Sequence, residues 1–274
     1  MAWTETTRAE HDRAGLRYAS DVTDAEWAIV GPFLERPTAV GRPAKHTRRN
    51  IWDAVQYLAA SGCQWRMLPK DFPPYSTVQH YFYRWRDSGL IVAVNEALTA
   101  ASRLAAGRAE AASAGIIDSQ SVKTTESGGP RGYDAGKKIK GRKRHIVTDT
   151  LGNILDAVVH TADVQDRDGA PGLIESVRDN FPALARIFAD GGYAGKKLAA
   201  AIAHLGGLAL EIVRRSDTAT GFVVLPKRWI VERTFAWLGR CRRLAKNWEA
   251  SIASSEAWLF LASIRRMTRA IARA

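Results

Sequence analysis

The sequence has few cysteines, and it lacks long apolar runs. Cys63 and Cys241 are far apart in the chain of 274 residues, so they form neither a metal-ligand spacing nor a disulfide framework. The longest apolar stretch near the C-terminal end, residues 257–264, is too short to span a bilayer. The first residues lack the apolar core of a signal peptide. We therefore expect a cytoplasmic protein with no membrane partner.

The sequence also lacks a GxxxxGK[ST] loop, which argues against an enzyme driven by nucleotide hydrolysis. Acidic residues are outnumbered: 40 Lys and Arg face 28 Asp and Glu, for a net charge of +12. Such an excess points to a polyanionic partner, with nucleic acid first and an anionic membrane second. Hydrophobic residues make up 46% of the chain, which is enough to form a sizeable core.

The first part of the chain has helical signals and many Arg, Trp and Tyr residues. A capping box at residues 23–26 opens one helix, and helices are predicted over 47–60, 77–87 after Ser76, and 91–106. Two interpretations remain open for this all-helical N-terminal domain, which we place at residues 1–108. It docks on DNA as a helix-turn-helix, or it is a packing domain with a solvated basic face.

From residue 109 to 274 the predicted elements alternate between strands and helices. Strands are predicted at 115–117, 145–150, 154–160, 185–189 and 208–213, and helices at 168–180, 196–205, 226–246 and 254–274. This order predicts an α/β domain, in which a mixed sheet is flanked by helices. The second and third strands are expected to form a hairpin.

Two short apolar strands each end in a carboxylate, Asp118 and Asp190. Each Asp could simply accept hydrogen bonds in the turn that follows it. However, strand ends of one sheet lie side by side, about 5 Å apart per neighbour. Two carboxylates there, with no His or Cys cluster, form a hard oxygen site suited to Mg²⁺ or Mn²⁺.

A third acid, Glu232, lies on the predicted helix after Pro226, opposite its apolar face. It shares that side with Arg228, Arg243 and Lys246. One interpretation is an exposed Glu paired with Arg at i, i+4 spacing. The other is a metal ligand directed into a basic groove.

A basic run follows the first Asp and is a candidate DNA-contacting segment. Its members are Lys137, Lys138, Lys140, Arg142, Lys143 and Arg144. Most charge runs are solvated, flexible loops, but the position just after Asp118 favours phosphate contact.

Several stretches resemble the conserved blocks of insertion-sequence transposases. They are GIIDSQSVKTT, RHIVTDTLGNILDAVVHTADVQD, FADGGYAGKKL and KRWIVERTFAWLGRCRRLAKNWE. They are most similar to the family-five branch, whose catalytic domain has a ribonuclease-H-like fold. The front segment, from TDAEWAIVGPFL to STVQHYFYRW, resembles the N-terminal helical domain of that branch.

The resemblance implies that Asp118, Asp190 and Glu232 are the catalytic acids and hold two Mg²⁺ or Mn²⁺ ions. The implied enzyme is a DNA transposase that cleaves the inverted repeats at the element ends and transfers the 3′-hydroxyls into target DNA. In related families a Tyr and a Lys flank the Glu, and here Leu225 and Gly239 occupy their positions. The contact to the terminal phosphate at the Lys position is therefore in doubt.

Joining two DNA ends suggests at least a homodimer in the synaptic complex, although the free protein could be a monomer. Two alternatives remain besides the transposase. One is a metal-dependent nuclease of the same fold without strand transfer. The other is a non-catalytic DNA-binding descendant, against which the presence of all three acids argues.

Overall fold

The first helices of the chain begin and end where local sequence signals place them. In the computed structural model, which describes residues 12–35, 44–213 and 227–274, helix α1 (Asp24–Leu34) follows the predicted capping box of Thr23 and Glu26. Helix α2 (Arg48–Ser61) is capped by Thr47 and ends at Gly62, whose φ of 69° is the left-handed conformation that glycine tolerates best.

The third helix differs from its prediction at its start. Helix α3 (Tyr75–Asp87) begins one residue before Ser76, and Pro74 occupies the cap position without a side-chain hydrogen bond. The carbonyl oxygen of Pro74 accepts the backbone N–H groups of Thr77 and Val78, so the first turn forms without a hydroxyl cap. Helix α4 (Leu90–Ala105) follows Gly89, close to the predicted range.

A mixed sheet follows, and it confirms the α/β prediction. Its strands are β1 (Ala114–Lys123), β2 (Gly132–Asp134), β3 (Ile139–Asp149), β4 (Ile154–Thr161), β5 (Arg186–Ala189) and β6 (Ala209–Ile212). The order is β2-β3-β1-β5-β6, with β4 also pairing with β3. The pairs of β3 with β1 and β4 are antiparallel, whereas β1–β5 and β5–β6 are parallel.

Strand β1 is longer than the predicted strand 115–117. It continues past Asp118 to Lys123 because β3 pairs with it over that whole length. The close pairing requires Gly141 on β3, since a Cβ there would overlap the carbonyl oxygen of Val122. The prediction that Asp118 ends the strand is therefore wrong, because the apolar pattern stops before the hydrogen-bonded ladder does.

The basic run is not a flexible loop in this structure, because its second half belongs to β3. Arg142, Lys143 and Arg144 are at most 5% exposed. The guanidinium of Arg142 donates to Asn247 Oδ1, Ser255 Oγ and several backbone carbonyls. Arg144 donates to carbonyls of residues 244 and 246. Both guanidiniums therefore spend most of their donors on partners inside the protein, and only Arg144 Nε has no partner among the described residues.

Four helices surround the sheet and complete the chain: α5 (Asp166–Asn180), α6 (Lys196–Ala201), α7 (Arg228–Leu238) and α8 (Ile252–Ile271). Helix α7 is shorter than the predicted 226–246. Gly239 follows it, and the buried Arg243 turns inward to pair with Glu249 at 2.6 Å. The prediction that Arg243 shares the exposed side of Glu232 is wrong, while Leu225 and Pro226 lie outside the described residues.

The sheet has an apolar core on each face, as the two-residue period of strands requires. Ile117, Val147 and Ile187 pack under α5 and α6 on one face. The other face joins α7, α8 and the N-terminal helices in one cluster, where Trp258 of α8 stacks on Phe82 at 4.6 Å. The division into residues 1–108 and 109–274 stays a prediction. None of the described helices is both long enough and apolar enough to cross a membrane.

We predict that Arg142→Gln lowers the free energy of unfolding by about 3 kcal/mol, because several buried carbonyls lose their donor. Lys140→Gln, an exposed neighbour on the same strand, is the control and should stay within about 0.5 kcal/mol of wild type. Urea denaturation measures both. If both variants changed the free energy of unfolding by the same small amount, a structural role for Arg142 would be contradicted.

Candidate active site

The register of the parallel pair β1–β5 brings the first two predicted acids together. Gly115 pairs with Ile187, and Ile116 pairs with Phe188. Two residues beyond this last pair in both segments, the same register brings Asp118 next to Asp190. Neighbouring strands are about 4.8 Å apart. The two Asp residues thus lie side by side where β5 ends and β1 continues.

Asp118 is half-buried, and its Oδ1 accepts the backbone N–H of Ser119 at 2.7 Å. The pKa of Asp118 is raised to about 6, because burial and the negative charge of Asp190 outweigh the Ser119 hydrogen bond and the charges of Arg228 and Lys137. This carboxyl group is therefore short of positive charge, as a cation ligand would be.

Asp190 uses its two oxygens differently. Oδ1 accepts the N–H of Gly192 at 2.7 Å and caps the short 3₁₀ helix Gly191–Tyr193, so the turn-capping interpretation holds for this oxygen. Oδ2 lies 3.5 Å from Nη2 of Arg228 on α7. The second oxygen therefore remains directed towards α7 and the third acid.

Glu232 is linked to Asp190 through Arg228. Its Oε1 lies 3.5 Å from the same Nη2 of Arg228, so the two carboxylate oxygens are separated by at most twice that distance. The predicted i, i+4 pair thus forms, and the Glu232 side chain is 57% exposed. Across the described ranges, no three His, Cys, Asp or Glu side chains are grouped closely enough to hold a metal ion.

The structure separates the predicted DNA-contacting residues into two groups. Exposed or half-buried are Lys137, Lys138, Lys140, Arg228 and Lys246. Buried are Arg142, Lys143, Arg144 and Arg243. The Nζ of Lys137 lies 3.4 Å from the carbonyl oxygen of Ser119, beside Asp118. Only the first group can reach a ligand without rearrangement.

Sequence reasoning missed Asp166 as a member of the site. Its Oδ1 accepts from Ser119 Oγ and Lys143 Nζ, each at 2.8 Å, and lies 3.6 Å from His145 Nε2. Burial alone would raise the pKa of Asp166, but hydrogen bonds from His145, Lys143 and Ser119 hold it well below its usual value. Asp166 therefore orients the residue that follows Asp118.

Tyr193 and a histidine pair were also missed. The ring of Tyr193 is 1% exposed and contacts the ring of His145 edge-on, with centroids 5.9 Å apart. Burial, and then the charges of Asp118, Asp166 and Asp190, raise the pKa of its hydroxyl well above 10. His145 Nδ1 lies 2.7 Å from His160 Nε2. The predicted hairpin of β3 and β4, whose register pairs Lys143 with His160 and His145 with Val158, was the available signal for this pair.

Comparison with known families identifies the family to which the chain belongs. Residues 110–266 match the family described as "Transposase DDE domain". The chain belongs to the DDE transposase family. A DDE domain implies a ribonuclease-H-like fold, so the predicted fold is confirmed, and all three acids lie within the matched residues. The family matches also place the chain among the insertion-sequence transposases of the DDE type.

Other similarities agree with this family. Residues 22–95 match the family described as "Putative transposase of IS4/5 family". The chain is 33% identical over 141 residues to a "Putative transposase for insertion sequence element IS402" of Burkholderia cepacia, which is 49% of this chain and 64% of that protein.

It is also 31% identical over 68 residues to "Uncharacterized protein y4sN" of Sinorhizobium fredii, 25% of this chain and 54% of that protein. The chain therefore spans less than two thirds of the length of these curated relatives. No solved structure matches it significantly.

We predict that Asp166→Asn lowers the free energy of unfolding by about 1–3 kcal/mol at pH 7, because buried Lys143 loses its charged partner. The folded pKa of Asp166 is depressed, so this stabilisation is present above the unfolded pKa. The difference from wild type should therefore shrink as the pH falls below about 4.

Asp168→Asn, which removes an exposed acid two residues further along α5, is the control, because its partner Lys197 is solvated. Urea melts across pH measure both variants. If the free energy of unfolding fell equally in the two variants, or if its fall did not depend on pH, the assigned role of Asp166 would be refuted.

Proposed function

We propose that this transposase cleaves the ends of its element and transfers the freed 3′-hydroxyls into target DNA. The observation that carries the proposal is the arrangement of the acids: β1 and β5 place Asp118 beside Asp190, and Arg228 joins Asp190 to Glu232. These are the residues for which the resemblance implies catalysis. Their roles, the strand-transfer step and the metal requirement are proposals.

The donor set suits divalent ions with hard oxygen ligands. DDE domains in general use divalent metals, and Asp118, Asp190 and Glu232 would hold two Mg²⁺ or Mn²⁺ ions here. Bound ions of this kind stabilise the entering and leaving oxygens of a phosphoryl transfer. The raised pKa of Asp118 supports this assignment, because a nearby cation would relieve the repulsion between the two Asp carboxylates.

The remaining site residues bind and orient in this proposal. Arg228 neutralises Asp190 and Glu232 in the present arrangement, and its guanidinium can turn to a DNA phosphate when these acids find other partners. Lys137, beside Ser119, is placed to bind a phosphate close to Asp118. Asp166 and Tyr193 hold the loops behind the acids.

We predict that Asp118→Asn, Asp190→Asn and Glu232→Gln each abolish strand cleavage but leave DNA binding nearly unchanged. The reason is that each removes a charged oxygen ligand and adds no bulk. Strand cleavage is measured on DNA that contains the element ends, and DNA binding is measured by gel shift. Chelation by EDTA should likewise stop cleavage, and Mg²⁺ or Mn²⁺ should restore it.

Asp179→Asn, an exposed acid on α5 away from the site, is the control and should cleave normally. A substituted acid that still cleaves at a near wild-type rate loses its proposed role. Strand-transfer products from paired-end substrates distinguish the transposase from a nuclease of the same fold, which would cleave but not join.

The proposed partner is double-stranded DNA, both as terminal inverted repeats and as target. We propose a homodimer or larger assembly in the synaptic complex, because two ends must be joined. The helical region, residues 1–108, is proposed to contribute to end recognition. The exposed cations Lys137, Lys138 and Lys140 are proposed to bind phosphates next to the acids.

We predict that changing Lys137, Lys138 and Lys140 together to Gln reduces the slope of log K against log salt by up to about 2.7, at about 0.9 per phosphate contact. Fluorescence anisotropy with an end duplex measures the slope. Arg186→Gln, an exposed cation at the opposite end of β5, is the control. An unchanged slope in the triple variant would remove these lysines from the DNA surface.

A further inference from the structure

A second basic site lies on the far side of α7 from the acids. A cavity of about 380 Å³ is enclosed by α7, α8 and the turn between β3 and β4. Thr234, one of its lining residues, is two positions after Glu232 and so about 200° around the helix. The cavity therefore faces away from the acidic side chains and cannot belong to that site.

The cavity wall is cationic, and no carboxylate is among the described residues that line it. Five arginines contribute: Arg240, Arg265, Arg266, Arg269 and Arg273. Cations concentrated around one cavity repel each other unless an anion compensates for them.

Two acids whose charges act on the lining arginines have closer partners elsewhere. Glu26 lies 3.8 Å from Arg269 but only 2.7 Å from Arg13, which is outside the cavity. Asp149 pairs with Arg103 at 3.0 Å, also outside it. The lining arginines therefore retain an excess of positive charge within the described part of the chain.

The deeper arginines are held in place by uncharged acceptors. Arg265 donates to the carbonyl of Gln56, Arg266 to Asn153 Oδ1, and Arg269 to the carbonyl of Ala19. Burial lowers the pKa of Arg266 to about 10 and that of Arg269 to about 9. Their guanidiniums are thus fixed but poorly compensated, and a bound anion would stabilise them.

The mouth of the cavity differs from its interior. Arg240 and Arg273 are exposed, and neither side chain donates a hydrogen bond to a described residue. Trp237, on the wall, has Arg233 on its ring at 4.3 Å and Arg266 at 4.8 Å, so it is not free to stack on a base. Recognition here depends on charge and not on base identity.

We propose that this cavity binds a phosphate group, and that its occupant is a backbone phosphate of a DNA segment running on the side of α7 opposite the acids. Guanidinium groups bind phosphate in a bidentate manner. The exposed Arg240 and Arg273 fit an extended polyanion, since a free phosphate inside the cavity would not need cations at the mouth. The choice of DNA rests on the proposed function.

The test uses the full-length chain with Arg240→Gln and Arg273→Gln combined, because these exposed side chains have no hydrogen-bond partner to lose within residues 12–35, 44–213 and 227–274. Duplex DNA binding is measured as a function of salt, and inorganic pyrophosphate is titrated in thermal melts. Arg108→Gln combined with Arg186→Gln removes the same charge from other exposed positions and is the control. DNA binding is measured without divalent metal, so it is independent of the catalytic acids.

The proposal requires that the double variant reduces the salt slope by about 1–2, at about 0.9 per phosphate, while the control does not. A slope equal to that of the control overturns it. If pyrophosphate raises the melting temperature of wild type but not of the variant, and the slope is unchanged, the cavity holds free phosphate and the DNA assignment is wrong.

Cleavage separates this site from the proposed active site. Asp118→Asn should keep the wild-type salt slope in the absence of divalent metal, and it should not cleave DNA when Mg²⁺ is added. A loss of slope in Asp118→Asn as large as that of the mouth variant would overturn the separation of the two sites. Normal cleavage by Asp118→Asn would refute the proposed function but leave the result on the salt slope unaffected.

Discussion

The parallel pairing of β1 with β5 is the constraint on which the candidate active site depends. It places Asp118 beside Asp190, and β3 holds the other edge of β1 over nine residue pairs. Two adjacent carboxylates repel each other, and the backbone ladder on both sides of β1 keeps them together despite that repulsion. Arg228, directed from α7, offsets part of that repulsion and links Glu232 to Asp190, although the three acids are not close enough to share a metal ion in this arrangement. In the proposed function, divalent cations would compensate for the repulsion between the acids.

The basic character of the chain serves two purposes that composition cannot separate. Arg142 and Arg144 are interior residues that satisfy backbone carbonyls of the segment between α7 and α8. Lys137 and Lys140 are exposed on the same stretch of chain. The net charge of +12 therefore overstates the number of cations available to DNA. A desolvated guanidinium is stable when its donors meet carbonyls, and this allows a basic strand to lie in the interior.

The two regions matched by transposase families share one core in this structure. Helix α8 packs on α4 and on the outer face of the sheet, and its Trp258 stacks on Phe82 of α3. The helical region is consequently fixed relative to the acids by apolar burial, which is the largest favourable term in folding. In the proposed function, DNA bound by the helices would meet the acids at a defined distance and angle, which would orient it for cleavage.

The sequence by itself determined the order of helices and strands apart from β2, the capping box of α1, the hairpin of β3 and β4, and the family. These features depend on local periodicity, caps and long motifs, which need no knowledge of distant contacts. Only the tertiary structure decided that β1 runs past Asp118, that α7 stops at Leu238, and that Arg142, Lys143, Arg144 and Arg243 are buried. The tertiary structure also brings Asp166 next to Ser119 and Lys143, which are 47 and 23 positions away in the sequence. The physical reason is that strand length, helix ends and the burial of charge depend on partners supplied by other parts of the chain, whose positions are known only after folding.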